Sequence, residues 1–279
     1  MTDKKIAKAI EILKKYEPPE GYYVAFSGGK DSLCIYWLTK IAGVRADYHY
    51  NMTTIDPPEL VQFIRTFDDV QIKHPGVDKT MWSLIVKKGF PPTRMIRYCC
   101  EKLKECGGKG RVIILGVRAE ESAKRKGRSI VDFSNPLGKV INLIYDWTED
   151  DVWQFIRCNL IDYCKLYDEG YDRLGCIGCP LLYHTKIEIE FERYPLYMKA
   201  YIKSFDRMLE CQKSIGKERK TWKTGLDVFD WWVYSNAYMS KKRLAKYPAE
   251  CSDCQYLGHK LICEFYCDLI SNKDFLKNV

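Results

Sequence analysis

The sequence predicts an α/β fold in which helices flank a parallel twisted sheet, followed by a helical, cysteine-bearing C-terminal region. Three observations predict it. Short apolar segments alternate with segments of helical periodicity between residues 22 and 116, a glycine-rich turn follows the first apolar segment, and residues 185 to 279 are mostly helical in pattern. Strands joined by helical crossovers form parallel sheets that are covered by helices on both faces.

The elements follow one another in a regular order. The first segment, MTDKKIAKAIEILKKYE, predicts an amphipathic helix with Ile6, Ile10 and Leu13 on one face. The predicted strands are Tyr22 to Phe26, Ala46 to Asn51, Val70 to Lys73 and Arg111 to Gly116. The predicted helices are Ser32 to Ile41, Pro58 to Phe67, one around Met81 to Lys88, and a cysteine-bearing helix from about Tyr98. Because ligands bind beyond the carboxyl ends of parallel strands, the loops at those ends are the first place to look for a site.

Composition limits the class of protein. A chain of 279 residues that is 46% hydrophobic can bury a full core. The longest apolar runs, such as Val112 to Val117, are far shorter than the roughly 20 residues that a membrane span needs. The first segment also lacks the apolar centre of an export signal, so we expect a cytoplasmic protein without a membrane partner. A formal charge of +8 is compatible with an anionic substrate or a nucleic acid and proves neither. Whether the chain forms an oligomer is left open.

The turn after the first predicted strand reads FSGGKDS, from Phe26 to Ser32. Its two glycines let the backbone approach a ligand closely, and the amides that lead into the next helix favour an anion. Lysine adds a positive charge, and the two serines offer hydroxyl groups to phosphate oxygens. Asp31 is unusual beside phosphates unless it holds a cation such as Mg²⁺ or orients a donor. The nucleotide-binding residues predicted here are Ser27, Gly28, Gly29, Lys30, Asp31 and Ser32.

Several ordered motifs resemble one protein family. SGGKDS is similar to the pyrophosphate-loop (PP-loop) motif of the adenine nucleotide alpha-hydrolases, which include ATP pyrophosphatases, tRNA-thiolating enzymes and the reductases of phosphoadenylyl sulfate (PAPS) and adenylyl sulfate (APS). GVRAEESAKR, NLIYDWTEDDVWQFI and LYDEGYDRLGCIGC resemble segments of those reductases in the same order. The resemblance covers roughly residues 20 to 182. It implies a Rossmann-like PP-loop domain over residues 1–182, with residues 183–279 as a helical C-terminal region.

The resemblance also implies roles for individual residues. Arg118, Ser122 and Arg125 match the arginine-bearing substrate loop of the reductases, and a guanidinium fork suits a sulfate or phosphate group. Arg118 follows an apolar strand directly, so its side chain should emerge at the ligand edge of the sheet. Lys30 and Asp31 are the candidate catalytic residues of the loop. An intact lysine favours ATP over APS or PAPS, because those two nucleotides have no beta and gamma phosphates.

Two cysteine pairs lie far apart in the sequence, Cys99 with Cys100 and Cys176 with Cys179. Four thiolates suit either tetrahedral zinc or an iron–sulfur cluster, and spacing alone does not choose between them. Adjacent cysteines favour a cluster, because their side chains diverge and a cluster presents separate irons. The pairs match the positions of the cluster ligands in APS reductases, so the resemblance implies a [4Fe-4S] cluster.

The tail holds a third cysteine group, which consists of Cys251, Cys254, Cys263 and Cys267. These intervals resemble a small Zn²⁺ knuckle, and a helix that carries buried cysteines is an equal alternative. Glu250-Cys251 also keeps part of the E-C-G-I/L-H segment of the reductases, which makes Cys251 a candidate nucleophile. Ser252 and Asp253 replace the next two residues, which puts that thiol mechanism in doubt.

The segment after the resemblance mixes aromatic and basic residues. That combination is needed for binding single-stranded nucleic acid, and it is also found in ordinary amphipathic helix pairs. Tyr194, Tyr197, Tyr201 and Phe205 recur at helical spacing, which favours core packing. Trp222, Trp231 and Trp232 keep the nucleic-acid alternative open.

Three functions follow. The first is an enzyme that adenylates an acceptor with ATP, releases pyrophosphate and transfers sulfur to a tRNA, a DNA or a small molecule. The second is a thiol-dependent reductase of APS or PAPS that releases sulfite. The third is a non-enzymatic sensor that binds a nucleotide and a cluster. The implied partners are an adenine nucleotide, a sulfur donor or a thioredoxin-like reductant, and a tRNA or DNA substrate.

Overall fold

The structure is a computed structural model that describes residues 2–132 and 138–234. Its strands are β1 Tyr22–Ala25, β2 Ala46–Asn51, β3 Val70–Lys73, β4 Ile113–Leu115, β5 Val131–Asp132 and β6 Val140–Asn142. Its α-helices are α1 Thr2–Tyr16, α2 Lys30–Ala42, α3 Pro58–Ile64, α4 Met81–Lys88, α5 Ala123–Lys126, α6 Glu149–Cys158, α7 His184–Arg193, α8 Pro195–Ser214 and α9 Gly225–Tyr234. A π-helical turn, Cys100–Lys104, stands where the sequence predicts a cysteine-bearing helix.

The strands form one sheet in the order β3-β2-β1-β4-β6-β5. All neighbouring pairs are parallel except the edge pair of β5 and β6, which is antiparallel. The chain moves outward through β2 and β3 on one side of β1, and β4 lies on the other side. This reversal at β1 and β4 is a topological switch point, where ligands bind in open α/β sheets. The predicted fold class is confirmed.

The described chain divides into two compact units. The first consists of Met1–Pro75 with Lys102–Gly175 and contains the whole sheet. The second consists of Gly76–Glu101 with the described chain from Cys176 to Tyr234. The backbone crosses between the units at Pro75, Glu101 and Gly175, so α4 and the pair Cys99-Cys100 belong to the second unit although they lie early in the sequence.

The core of the first unit lies between the sheet and its helices. Helix α1 buries Leu13 completely, and the Tyr22 hydroxyl of β1 donates a hydrogen bond of 2.7 Å to the Leu13 carbonyl. The predicted amphipathic face of this helix is confirmed, since Ile6 and Ile10 also pack against the core. Thr148 with Asp151 three positions later is the sequence pattern of a helix N-cap, and helix α6 begins there. The Thr148 side chain accepts from the Asp151 amide at 3.2 Å, and the Asp151 carboxylate accepts from the Thr148 amide at 2.7 Å.

The second unit packs α8 and α9 together and packs α4 against α8. Tyr201 and Phe205 of α8 are completely buried, and Tyr194 at its start is 8% exposed. Three of the four aromatic residues at helical spacing therefore form core, as the spacing favoured, whereas Tyr197 is only partly buried. Trp232 belongs to the same core, with its ring centroid 4.8 Å from that of Tyr201.

Five cysteines stand singly in the sequence, and burial is the default expectation for such residues. Cys34 and Cys164 are buried, whereas Cys106, Cys158 and Cys211 are exposed, so that expectation is wrong for three of them.

Within residues 2–132 and 138–234, no helix is both long and apolar enough to span a membrane.

Candidate functional site

The PP-loop lies between β1 and α2, at the switch point of the sheet. Gly28 has a φ of +70°, in the left-handed region that glycine tolerates best. A Cβ atom there would lie 2.6 Å from Cγ1 of Ile64 and 2.8 Å from Cδ1 of Leu60, both on α3. Glycine is therefore required at this position for two reasons, backbone conformation and space.

The two predicted serines stabilise the turn by hydrogen bonds within the loop itself. The Ser32 hydroxyl donates to the Gly29 carbonyl at 2.8 Å and accepts from the Ser27 amide at 3.2 Å. The Ser27 and Ser32 hydroxyl oxygens are also 3.2 Å apart. At the start of α2, the Lys30 amide donates to the Tyr167 hydroxyl at 2.9 Å. The loop is thus organised by its own side chains and by one tyrosine from a distant segment.

Lys30 lies inside the site with its side chain 4% exposed. Its Nζ donates to the Asp172 carbonyl at 2.6 Å and lies 3.4 Å from the Glu149 carboxylate. It also lies 5.4 Å from the centre of the Tyr167 ring. The predicted cation of the loop therefore already has an internal anion.

Arg118 follows β4 and lies next to the loop, as its position after an apolar strand predicts. Its guanidinium is 4% exposed, and its Nε donates to the Asp31 carboxylate at 2.6 Å. Its Nη1 donates to Glu120 at 2.9 Å, and its Nη2 lies 3.8 Å from Glu149. Of the two roles considered for Asp31, the described contacts match the orientation of a donor.

Arg125 extends the basic character of the site. Its guanidinium pairs with Glu121, and its pKa is lowered by burial and then by the nearby charges of Arg173 and Arg128. Basic side chains that repel one another favour an anion between them. The Ser122 hydroxyl accepts from the Arg125 amide at 3.3 Å at the start of α5, and its role as a substrate contact stays a prediction.

The Cys-x2-Cys turn belongs to the second unit. Gly178 has a φ of +67°, and a Cβ there would lie 2.5 Å from Cζ of Phe191. The Gly178 amide donates to the Glu190 carboxylate at 2.7 Å, and burial raises the pKa of Glu190 to about 7. The Tyr201 hydroxyl donates to the Ile177 carbonyl at 3.1 Å. Aromatic rings and two hydrogen bonds therefore fix the backbone between Cys176 and Cys179.

The four predicted cluster cysteines share this unit. A hydrogen bond with Cys100 raises the pKa of Cys99, and burial and the nearby Cys176 raise it further. The pKa of Tyr201 is raised by burial and then by the thiols of Cys176, Cys99 and Cys179. The thiols of Cys100 and Cys176 therefore disfavour the thiolate form of Cys99.

The described side chains differ in how well they suit a single metal ion and a cluster. Over the described ranges, no three His, Cys, Asp or Glu side chains converge as ligands of one metal ion must. A cluster makes a different demand, because each thiolate binds its own iron. Cys99, Cys100, Cys176 and Cys179 stay the predicted holders of a cluster. For Mg²⁺, Asp31 stays a candidate, since that ion is usually bound by one or two carboxylates together with substrate phosphates.

Three residues that contact the site have no role predicted from the sequence. Tyr167 occurs in the LYDEGYDRL motif, Glu149 in the WTEDD segment, and Glu120 follows Arg118 by two positions. Each lies inside a motif that resembles the family, and that was the available signal. Cys251, Cys254, Cys263 and Cys267 lie outside the described residues, so the second metal site and the candidate nucleophile stay predictions.

Residues 21–182 match the family model described as the phosphoadenosine phosphosulfate reductase domain. An uncharacterised protein of Methanocaldococcus jannaschii is 29% identical over 70% of this chain and 51% of its own length. A probable FAD synthase of Caenorhabditis elegans is 28% identical over 73% of this chain and 38% of its own. An adenosine 5'-phosphosulfate reductase of Oceanobacillus iheyensis is 29% identical over 43% of this chain and 57% of its own.

The chain thus spans about half the length of the Methanocaldococcus relative, and less of the FAD synthase. Among solved structures, a phosphoadenylyl-sulfate reductase of Candida auris is similar over 63% of this chain and 93% of its own, with 17% identity and a TM-score of 0.47. The family resemblance of the motifs is confirmed by the match over residues 21–182.

Proposed function

Because this chain belongs to the phosphoadenosine phosphosulfate reductase family, we propose that it is an enzyme that binds ATP at the PP-loop and adenylates an acceptor for sulfur transfer. The observation that carries the proposal is the buried pair of cations, Lys30 and Arg118, at the switch point beside a glycine turn. The intact lysine favours a nucleotide with beta and gamma phosphates. A relative named as a probable FAD synthase supports chemistry that involves an adenylyl group.

In the proposed reaction, an acceptor oxygen attacks the alpha phosphate of ATP, and the bond from that phosphate to the departing pyrophosphate breaks. Lys30 neutralises the charge that develops on pyrophosphate, and Arg118 offers its guanidinium to the phosphate oxygens. Asp31 orients Arg118 through the 2.6 Å hydrogen bond. A sulfur nucleophile then displaces AMP from the adenylated acceptor.

The cluster is part of the proposal. When bound by Cys99, Cys100, Cys176 and Cys179, it would supply or carry the sulfur. Gly178 and Glu190 would keep the Cys-x2-Cys turn in this conformation, since the Gly178 amide donates a hydrogen bond to the Glu190 carboxylate. A tRNA, a DNA or a small metabolite is the proposed acceptor.

The first test measures metal and spectrum after anaerobic purification. We expect about four irons per chain and a broad absorption band near ~400 nm, both lost in Cys176→Ser. The matched control is Cys211→Ser, because Cys211 is an exposed cysteine in the same unit. Zinc in place of iron, or no metal at all, would rule out cluster-mediated sulfur transfer.

The second test measures ATP–pyrophosphate exchange against candidate acceptors. We expect exchange by the wild type and its loss in Lys30→Met. Lys40→Met is the control, because Lys40 lies in the last turn of the same helix and pairs with Asp69. Tight ATP binding without exchange for any acceptor would favour the sensor.

A reductase of APS or PAPS is the second candidate. A relative named as an adenosine 5'-phosphosulfate reductase favours it, together with the group of arginines around Arg125. In that reaction the sulfate group would be bound by Arg118 and Arg125, and Cys251 would be the nucleophile. Release of sulfite from APS or PAPS with a thiol reductant, without pyrophosphate exchange, would support the reductase and contradict the adenylating enzyme.

A further inference from the structure

The cations of the PP-loop site contact carboxylates of the chain itself. Glu149, in the first turn of α6, lies 3.4 Å from Nζ of Lys30 and 3.8 Å from Nη2 of Arg118. A single side chain therefore touches both groups that the proposed function assigns to phosphate. An incoming phosphate and this carboxylate need the same positive charge.

The carboxylates around Arg118 differ in how firmly they are held. Asp31 makes the shortest contact, 2.6 Å, and its side chain is 24% exposed. Glu120 is held from two directions, by Arg118 at 2.9 Å and by the Glu149 amide at 2.8 Å. The Glu149 side chain makes the longest contacts and is 49% exposed, close to the 53% of Glu120, so the length of its contacts is what distinguishes it. Glu149 is thus the carboxylate that can move into water at the lowest cost.

Moving Glu149 would leave the rest of the site in place. Its backbone amide would still donate to Glu120, because the α6 backbone need not move when the side chain rotates. Lys30 would keep the Asp172 carbonyl at 2.6 Å, and Arg118 would keep Asp31. Both cations would remain oriented, with one negative charge fewer in front of them.

We propose that Glu149 is an internal counter-ion of the PP-loop site that a bound polyphosphate displaces, so that it lowers the affinity for pyrophosphate and favours its release. This inference rests on the proposed nucleotide site. Neutralising the carboxylate removes the competitor, so Glu149→Gln should bind inorganic pyrophosphate more tightly. Ion pairs with a solvent-exposed partner are weak, so we expect a gain of about threefold to fivefold.

The direction of the effect separates this role from a merely structural one. A side chain that only supports the loop would weaken both the fold and anion binding when it is changed. Here we expect the unliganded melting temperature of Glu149→Gln to stay level or fall slightly, while the increase caused by pyrophosphate becomes larger. Glu149→Ala should show the same pattern, which guards against a special effect of the amide.

The experiment is calorimetric titration of the full chain with inorganic pyrophosphate in EDTA, together with melting curves. Asp150→Asn is the matched control, because Asp150 is the exposed neighbour of Glu149 in the same helical turn. We expect it to bind pyrophosphate as the wild type does. An equal gain in this control would reduce the effect to net charge and overturn the proposal.

The remaining outcomes are separable. If the wild type binds pyrophosphate and Glu149→Gln binds it equally or more weakly, the counter-ion role is wrong and the nucleotide site stands. If neither protein binds pyrophosphate or ATP, the nucleotide site is wrong and the counter-ion role fails with it.

Discussion

Two glycine turns, one in each unit, use the same backbone conformation in different surroundings. Gly28 in the PP-loop and Gly178 in the Cys-x2-Cys turn have φ values of +70° and +67°, and each is pressed against apolar side chains. Beyond the glycine the turns differ. The PP-loop contains the buried cation Lys30 and lies next to Arg118, and both have carboxylate partners. The cysteine turn instead packs against the rings of Phe191 and Trp232.

The two turns differ in the charged groups that surround them. Paired cations can exchange one anion for another at low cost, because the positive charge is neutralised before and after. In the cysteine turn's unit, a hydrogen bond with Cys100 and then burial raise the pKa of the Cys99 thiol, which favours its neutral form. We therefore interpret the first turn as suited to reversible anion binding, whereas ligation of a cluster at the second turn stays a prediction.

The largest expected effect is that of Gly178→Ala. The new Cβ would lie 2.5 Å from Cζ of Phe191 and 3.2 Å from Cη2 of Trp232. A rigid ring cannot relieve such a clash by rotating about its own bonds, as an aliphatic side chain can. With the left-handed conformation added, we expect a loss of about 3–4 kcal/mol in the free energy of unfolding, measured with urea. Gly216→Ala, with a φ of +68° and open space, should cost only about 1–2 kcal/mol. Equal costs would contradict the importance of the aromatic contact.

Gly28→Ala should have the next largest effect. Its clash is with the flexible side chains of Ile64 and Leu60, so we expect about 2–3 kcal/mol in the free energy of unfolding and loss of ATP binding. Gly43→Ala is the control, since it ends the same helix with a φ of +66° and open space. Retained ATP affinity in Gly28→Ala would mean that the turn does not bind the nucleotide.

Arg118→Lys addresses the charged partners of the PP-loop. Lysine keeps the charge but loses the fork that reaches Asp31 and Glu120 together. We expect about tenfold weaker ATP binding by calorimetry, as for one charge-assisted hydrogen bond. Arg111→Lys should leave ATP affinity unchanged, because Arg111 pairs with Asp47 elsewhere in the unit. A larger loss in the control would indicate a general effect on folding.

The smallest expected effect concerns Glu190 and pH. Burial raises its pKa to about 7, so the folded state favours the protonated carboxyl. Its contribution to stability is complete below the ordinary pKa of a glutamate and is lost as pH rises through about 7. We expect the fall in unfolding free energy between about pH 5 and 8 to be about 1–2 kcal/mol smaller in Glu190→Gln.

The control for this measurement is Glu192→Gln, because Glu192 is an exposed glutamate on the same helix. It should keep the pH dependence of the wild type. An unchanged slope in Glu190→Gln would mean that the carboxyl titrates well below neutral pH and is ionised throughout that range.

The sequence alone determined much of this protein. Alternation of apolar and helical segments predicted the parallel sheet, and Thr148 with Asp151 predicted the start of α6, because both are local patterns. The loop from Ser27 to Ser32 and the two cysteine pairs were recognisable for the same reason. Each depends on residue types at short, fixed spacing.

Only the tertiary structure decided which groups surround these motifs. Lys30 and the Asp172 carbonyl are 142 positions apart, and Arg118 and Asp31 are 87 apart, so no local pattern connects them. Whether a charged side chain faces water, a carboxylate or a ring depends on which distant segments the fold brings together. The partners of Lys30 and Arg118, and with them the competition at Glu149, are therefore properties of packing, since electrostatic energy depends on distance in space and on burial.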